Sequence, residues 1–129
     1  MSKNIRDFRE LRVNNSAMYA AMEFFRVTSQ FPPEEKYSLV HQIRRSSRSV
    51  WANIAEAWRK RRYRGAFVAK LADAEREAAE TQVWLDFSER CGCLASERVL
   101  EPKAVCDRVV SSLVKMIRNT DKWIIRNKE

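Results

Sequence analysis

The sequence predicts an all-α fold, a bundle of about four helices, and two observations support this. The 129 residues include only two glycines and three prolines, too few for the many turns of a β-sheet protein. Apolar side chains recur at steps of three and four residues along four long segments, as on amphipathic helices. We therefore expect one domain over residues 1–129, with helices at about 8–29, 34–62, 66–91 and 96–126.

The first two helices are predicted to be separated by a pair of prolines. Asp7 or Asn4 would cap the start of the first helix. The Phe-Pro-Pro sequence at 31–33 ends it, because a residue before proline is displaced from the helical region. Glu34 and Glu35 then suit the first turn of the second helix, where acidic side chains complement the positive end of the helix dipole.

The second helix is predicted to carry three zones: a core stripe, an uncharged polar edge and a basic outer face. Five polar residues gather along the edge next to the apolar stripe: Ser46 and four more. Because buried amides and carboxylates need partners, we expect these four to form a buried hydrogen-bonded seam with a neighbouring helix. The members of this polar seam are Gln42, Ser49, Asn53 and Glu56.

The third helix shows a heptad seam, and glycines mark its two ends. Its core positions run from Phe67 to Ser88 with alternating steps of four and three, and the middle of the seam is small. Gly65 is the expected break before this helix, and Gly92 the expected left-handed cap after it.

The fourth helix begins near Ser96 or Pro102, and the proline predicts a kink or a fresh start. The tail at 126–129 should fray. Both of the last two helices carry apolar residues outside the core stripe, which favours either a thick core or a buried subunit interface.

Positive charge is concentrated in one part of the chain. The net charge is +8, and residues 36–64 alone hold nine basic side chains against one acidic. Arginine predominates, and its planar guanidinium binds phosphate in a fork. The candidate nucleic-acid ligands are Arg44, Arg45, Arg48, Arg59, Lys60, Arg61, Arg62 and Arg64. In the alternative interpretation the arginines pair with acidic residues of the third helix, which are Asp73, Glu75, Glu77 and Glu80.

No catalytic, metal or cofactor site is predicted. His41 is the only histidine and has no Ser, Cys or Glu at a spacing that suits catalysis or a di-metal bundle. The thiols Cys91, Cys93 and Cys106 lack a fourth zinc ligand and suit a reducing cytosol. The tryptophans lie beside apolar stripes, where core or interface positions are favoured over base stacking. With no signal peptide and no membrane span in the sequence, we expect a cytoplasmic, non-enzymatic protein.

The segment from Phe31 to Glu56 carries a specific motif. It matches F-P-x-E-E-x-Y-x-L-x-x-Q-x-R-R-x-x-x-S-x-x-x-N-I-A-E at every fixed position. This motif resembles the signature of the bacterial four helix bundle proteins, which include products of intervening sequences in 23S ribosomal RNA genes. The chain departs from the family pattern at Ala57, where glycine is usual, and at the bulky pair Val50-Trp51.

The resemblance implies an up-down four-helix bundle that assembles as a ring-like homopentamer around a central channel. It also implies a nucleic-acid partner, with RNA favoured over DNA. A similar branch of the family serves diversity-generating retroelements and binds a reverse transcriptase. We therefore expect a nucleic-acid-binding oligomer, and the alternative is a protein-binding scaffold or accessory subunit, for example of a reverse transcriptase.

Overall fold

The structure, a computed structural model, describes residues 5–125 and is helical throughout, with no strand in that range. Two single-turn 3-10 helices, at Phe8–Glu10 and Pro33–Glu35, precede the first two long helices. No helix within residues 5–125 is long and apolar enough to cross a membrane. The helices are α1 (Arg12–Thr28), α2 (Leu39–Arg59), α3 (Arg64–Arg90), α4 (Ser96–Arg118) and the short α5 (Thr120–Trp123).

The four long helices pack as an antiparallel bundle. Each contacts the next in the chain, α4 returns against α1, and α1 and α3 lie diagonally opposite. The most extensive contact joins α2 to α3. Every position of the predicted heptad seam of α3 is buried, including the small residues Ala74 and Ala78, which let α2 approach closely. The all-helical prediction and the α3 seam are therefore confirmed.

A single buried hydroxyl pair links α2 to α3. The Ser46 Oγ lies 2.7 Å from the Thr81 Oγ1, and both residues are almost fully buried. Thr81 Oγ1 also lies 2.8 Å from the Glu77 carbonyl, and Ser46 Oγ lies 3.4 Å from the Ile43 carbonyl, so each hydroxyl also has an acceptor in its own helix. This pair satisfies both hydroxyls inside the core, as buried polar groups require.

The predicted polar seam is not buried in the single chain. Asn53 Nδ2 donates to the Ser49 carbonyl at 2.9 Å, within its own helix. The Glu56 side chain is 54% exposed and pairs with Lys70 of α3 at 2.7 Å, while Gln42 accepts a bond from the neighbouring Arg45. The helical wheel placed these residues correctly beside the apolar stripe. The buried part of the α2–α3 contact, however, is formed by the stripe, and these polar residues lie at the edge of that contact.

Two helices begin later than the sequence predicts. Leu11 is extended and separates α1 from the Phe8–Glu10 turn, which lets Phe8 pack edge-on against Trp51 with 6.2 Å between ring centroids. Residues 33–38 form turns rather than the start of α2, because the Ser38 hydroxyl binds the Glu35 carboxylate and caps no helix. Asp7 makes no side-chain cap, and Asn4 lies outside the described residues.

The remaining helix ends follow backbone geometry around glycine, proline and asparagine. Gly92 has φ of +79°, which confirms the left-handed cap. Gly65 is not the break before α3, which begins at Arg64 after the extended residue Tyr63. Pro102 lies buried within α4, which starts at Ser96 without restarting there, so the predicted fresh start at the proline is wrong.

The last predicted helix is divided in two. Asn119 ends α4, with its side-chain amide donating to the Lys115 carbonyl at 3.0 Å, and α5 follows. Asparagine competes for backbone hydrogen bonds in this way and so favours helix ends. The predicted helix end at residue 126 and the predicted fraying of 126–129 lie outside the described residues.

The Ser46–Thr81 pair predicts a measurable coupling between α2 and α3. We expect Thr81→Val to lower the free energy of unfolding by about 1–2 kcal/mol, because the substitution keeps the shape and leaves the Ser46 hydroxyl without its partner. Urea denaturation of Thr81→Val, Ser46→Ala and the double variant would measure this. The double variant should lose less than the sum of the two single losses. Strictly additive losses would contradict the coupling.

The three thiols are predicted to differ in reactivity. Burial raises the pKa of the Cys106 thiol to about 12, whereas Cys91 is exposed. Because the thiolate is the reactive form, Ellman's reagent at pH 8 should modify Cys91 rapidly and Cys106 only after unfolding in urea. The rapid phase should vanish in Cys91→Ser and persist in Cys106→Ser. A rapid phase that survives Cys91→Ser would contradict this assignment.

Candidate nucleic-acid interface

The bundle separates its charges between its two ends. The antiparallel order brings residues 5–12, 56–70 and 115–125 to one end, which we call the basic end. These segments hold twelve basic side chains and four acidic ones. The opposite end, formed by residues 23–38 and 86–103, holds five basic and seven acidic side chains. The excess of basic over acidic side chains at the basic end alone therefore equals the net charge of the whole chain, +8.

Contacts between the α2–α3 turn and the C-terminal segment assemble the basic end. The Ile125 N–H donates to the Arg61 carbonyl at 2.9 Å. The Trp58 and Trp123 rings meet edge to face with 6.5 Å between centroids, and Arg64 pairs with Asp121. These contacts fix Lys122, the cation of α5, beside the cations of the turn.

Arg61 stabilises this end from within. Its guanidinium lies 3.5 Å from the Trp58 ring centroid, and its Nε donates to the Trp58 carbonyl at 2.8 Å. It thereby satisfies a free carbonyl at the C-terminus of α2 and stacks on an aromatic face. Burial lowers the pKa of Arg61, and the positive charge of Arg59 lowers it further. Arginine nevertheless remains charged at neutral pH. Arg61 is therefore a cation whose guanidinium is used in contacts within the turn.

Two more of the predicted nucleic-acid ligands are also used within the chain. Arg44 donates to the Thr28 hydroxyl at 2.9 Å and to the Phe25 carbonyl at 3.1 Å, which ties α2 to the end of α1. Arg45 reaches across to α3, where it pairs with Glu77 at 3.4 Å and with Glu80. The alternative interpretation, pairing with the acidic third helix, therefore holds for Arg45. We assign Arg44, Arg45 and Arg61 to internal roles.

The basic face of the second helix is divided into two groups. Arg44, Arg45 and Arg48 lie on the half of α2 next to the acidic end. Arg59, the first cation of the other group, is about 16 Å further along the helix than Arg48, at 1.5 Å per residue. Arg48 is exposed and lies 6.0 Å from the Phe25 ring. The predicted phosphate ligands therefore do not form one continuous surface.

Four of the predicted ligands form an exposed cluster at the basic end, which we call the turn cluster: Arg59, Lys60, Arg62 and Arg64. Among the described residues the first three have no acidic partner. Arg64 pairs with Asp121 where both side chains are more than half exposed, and such surface pairs are weak. Arg64 also lies in the first turn of α3, where a cation opposes the helix dipole and no acidic residue or side-chain cap compensates.

Sequence reasoning missed several members of the basic end. Tyr63 lies within the turn cluster and is 67% exposed, and its position between two arginines was the available signal. Lys115, Arg118 and Lys122 come from the far end of the chain. The signal for them was the antiparallel topology, which places the C-terminus of α4 at the same end of the bundle as that of α2.

An open groove runs beside the turn cluster along α2. Its lining includes Phe8, Ala55, Arg59, Lys60 and the Lys70–Glu56 ion pair. The hydrogen bond that Lys70 donates to the Glu56 carboxylate raises the pKa of Lys70, so Lys70 stays charged. No group of three His, Cys, Asp or Glu side chains within residues 5–125 could hold a metal ion. The arrangement can therefore bind anions through several cations.

Comparisons with known proteins agree with the motif at residues 31–56. The family model described as 23S rRNA-intervening sequence protein matches residues 9–115. Among solved structures, the chain is similar to a protein of unknown function from the S23 ribosomal protein family of Bacteroides thetaiotaomicron VPI-5482. The two share 27% identity and a TM-score of 0.75, over 82% of this chain and 95% of that one. No curated protein matches the chain. The family match covers most of the chain and confirms the resemblance, so this protein belongs to the 23S rRNA-intervening sequence protein family.

Proposed function

We propose that the protein is a non-enzymatic, oligomeric nucleic-acid-binding protein that contacts RNA through its basic end. The observation that carries this function is the excess of twelve basic over four acidic side chains at that end. Such an excess opposes folding through self-repulsion, and a bound polyanion relieves it. The family description, which refers to 23S rRNA intervening sequences, favours RNA over DNA.

The contacts are to phosphates rather than to base edges. Arg59, Lys60 and Arg62 are exposed on a short turn and carry no partner among the described residues, so they meet a phosphate backbone without breaking internal contacts. Phosphate contacts position a nucleic acid and do not read its sequence. Each neutralised phosphate releases counterions, so the affinity falls as salt is added.

Oligomer formation is supported by two separate exposed apolar faces. One lies on α1, and the other on α3. Because α1 and α3 are diagonally opposite, one face of each copy can meet the other face of the next copy, and such head-to-tail contacts close into rings. The resemblance to the four helix bundle proteins implies five copies. The exposed apolar residues are Met18, Tyr19, Met22 and Phe25 on α1, and Val83 and Phe87 on α3.

A second candidate function is a protein-binding scaffold, such as an accessory subunit of a reverse transcriptase. The contacts of Arg44, Arg45 and Arg61 within the chain favour it, because these contacts account for the three arginines without a nucleic-acid ligand. The turn cluster is what separates the two candidates. Three of its cations, Arg59, Lys60 and Arg62, have no acidic partner within residues 5–125, and only the first candidate function requires them.

The binding function predicts a charge-dependent and salt-dependent affinity for RNA. Fluorescence anisotropy of a structured RNA, titrated at several salt concentrations, would measure it. Reversing two unpaired cations in Arg59→Glu/Arg62→Glu should weaken binding and make the slope of log K against log salt shallower by about 2, one for each lost phosphate contact. Duplex DNA alongside would test the preference for RNA.

A matched control is Arg90→Glu/Arg98→Glu, which makes the same change of charge at the acidic end. Arg90, like Arg59, lies in the last turn of its helix, and all four arginines are exposed. The control should bind RNA with the wild-type slope. Equal losses in both double variants would show a general charge effect and contradict a site at the basic end. No RNA binding by folded wild-type protein at low salt would leave the scaffold function.

The oligomer is tested by size-exclusion chromatography with light scattering. We expect wild-type protein at five times the chain mass of 15.2 kDa. Met22→Asp on α1 and Val83→Asp on α3 should each give smaller species, because each places a charge in one half of the same contact. Tyr37→Asp, on the turn before α2, is the exposed control and should not change the mass. A monomeric wild-type protein would overturn the ring.

A further inference from the structure

We infer that Tyr63 is a stacking platform for an unpaired nucleobase, so that the basic end binds single-stranded RNA segments in preference to duplex. This inference rests on the proposed function and specifies the ligand of the same surface. Tyr63 is 67% exposed and lies in the chain between Arg62 and Arg64 of the turn cluster. An exposed aromatic ring with a cationic surround is the arrangement by which proteins hold single strands without reading their sequence.

The backbone holds Tyr63 in a fixed position. Its N–H donates to the Lys60 carbonyl at 3.0 Å, and its carbonyl accepts from the Phe67 N–H at 2.9 Å. The first bond closes the turn and the second begins α3, so residue 63 is tied on both sides. Because the backbone at residue 63 is already ordered, binding would cost the side chain little beyond its own rotation.

The ring itself has no structural role that the contacts reveal. Within residues 5–125, no aromatic ring or cation lies against it. Arg61, two residues earlier, turns inward onto Trp58 instead, which leaves the outer side of the turn to Tyr63 and its neighbours. The side chain therefore stays accessible to a base over most of its surface.

The other exposed tyrosines differ from Tyr63 in their surroundings. Tyr19 belongs to the exposed apolar face of α1. Tyr37 is 85% exposed, but it lies on the turn before α2 at the acidic end, with the Lys36 ammonium 5.5 Å from its ring centroid. Tyr37 therefore has one cation beside it, whereas Tyr63 lies in a basic run of which Arg59, Lys60 and Arg62 lack acidic partners within residues 5–125. A base on Tyr63 would have several cations close to its flanking phosphates.

The chemistry distinguishes single strands from duplexes. In a single strand a base can leave its neighbours and lie on the ring while the adjacent phosphates meet Lys60 and Arg62. In a duplex the bases stay stacked and paired, and turning one outward carries a penalty. A duplex is therefore held by the cations alone, and the ring contributes only to single-stranded binding.

The test compares Tyr63→Ala with Tyr63→Phe on two RNA probes, a twelve-nucleotide oligouridine and a blunt RNA duplex of twelve base pairs. By anisotropy, Tyr63→Ala should bind the single strand roughly tenfold more weakly, within the range of stacking losses on alanine substitution. Its salt slope should stay unchanged because no charge is removed. Tyr63→Phe should bind like wild type, and neither variant should alter duplex affinity. Tyr37→Ala is the matched control and should bind both probes like wild type.

A spectroscopic readout separates stacking from a change in the fold. A single strand carrying 2-aminopurine should lose fluorescence on binding wild-type protein or Tyr63→Phe, and lose much less on binding Tyr63→Ala. Equal affinity of wild type and Tyr63→Ala for the single strand, or equal losses on both probes, would overturn the inference. The proposed function would survive that result if Arg59→Glu/Arg62→Glu still weakened binding. Wild-type protein that binds neither probe would overturn both.

Discussion

The close packing of α2 on α3 is the contact on which the rest of the structure depends. Ala74 and Ala78 keep the middle of the α3 seam small, so the two helices approach until the Ser46 and Thr81 hydroxyls meet. Helices this close can be joined by a very short connection, and here residues 60–63 suffice. The cations of that connection therefore stay at the surface of the bundle end, because so short a turn cannot fold back to cover them.

Charge at the basic end is then neutralised only in part. The Arg61 guanidinium stacks on the Trp58 ring and donates to the Trp58 carbonyl, and Arg64 pairs with Asp121. Arg59 and Arg62 remain without one among the described residues. Like charges this close oppose folding, and salt or a bound polyanion reduces the repulsion. The structure thus separates cations that maintain the turn from cations that it leaves available to a ligand.

The sequence predicted the features that depend on local periodicity. It could not predict the side-chain contacts that depend on how the helices pack together. The α3 seam and the Gly92 cap follow from local spacing and backbone preference, and both are confirmed. The helical wheel placed Asn53 beside the apolar stripe but could not show that it would bond within its own helix. The charge count could not show that Arg44 would cap α1. The break at Leu11 depends on tertiary packing and has no strong signal in the chain. Three predicted ligands were therefore internal, while Tyr63 and the cations of α4 and α5 were missed.

Cyclic assembly would give the basic end a property that one chain lacks. Rotation about a single axis keeps equivalent atoms at one height and one distance from that axis, whichever faces form the contact. In the proposed ring, every copy therefore contributes its turn cluster to one circle of positive charge. A phosphate backbone that leaves one copy meets the next at a high local concentration, so weak contacts at each turn combine into a much stronger attachment. Affinity for long RNA would then depend on assembly as much as on any single arginine, which connects the exposed apolar faces of α1 and α3 to the charge between α2 and α3.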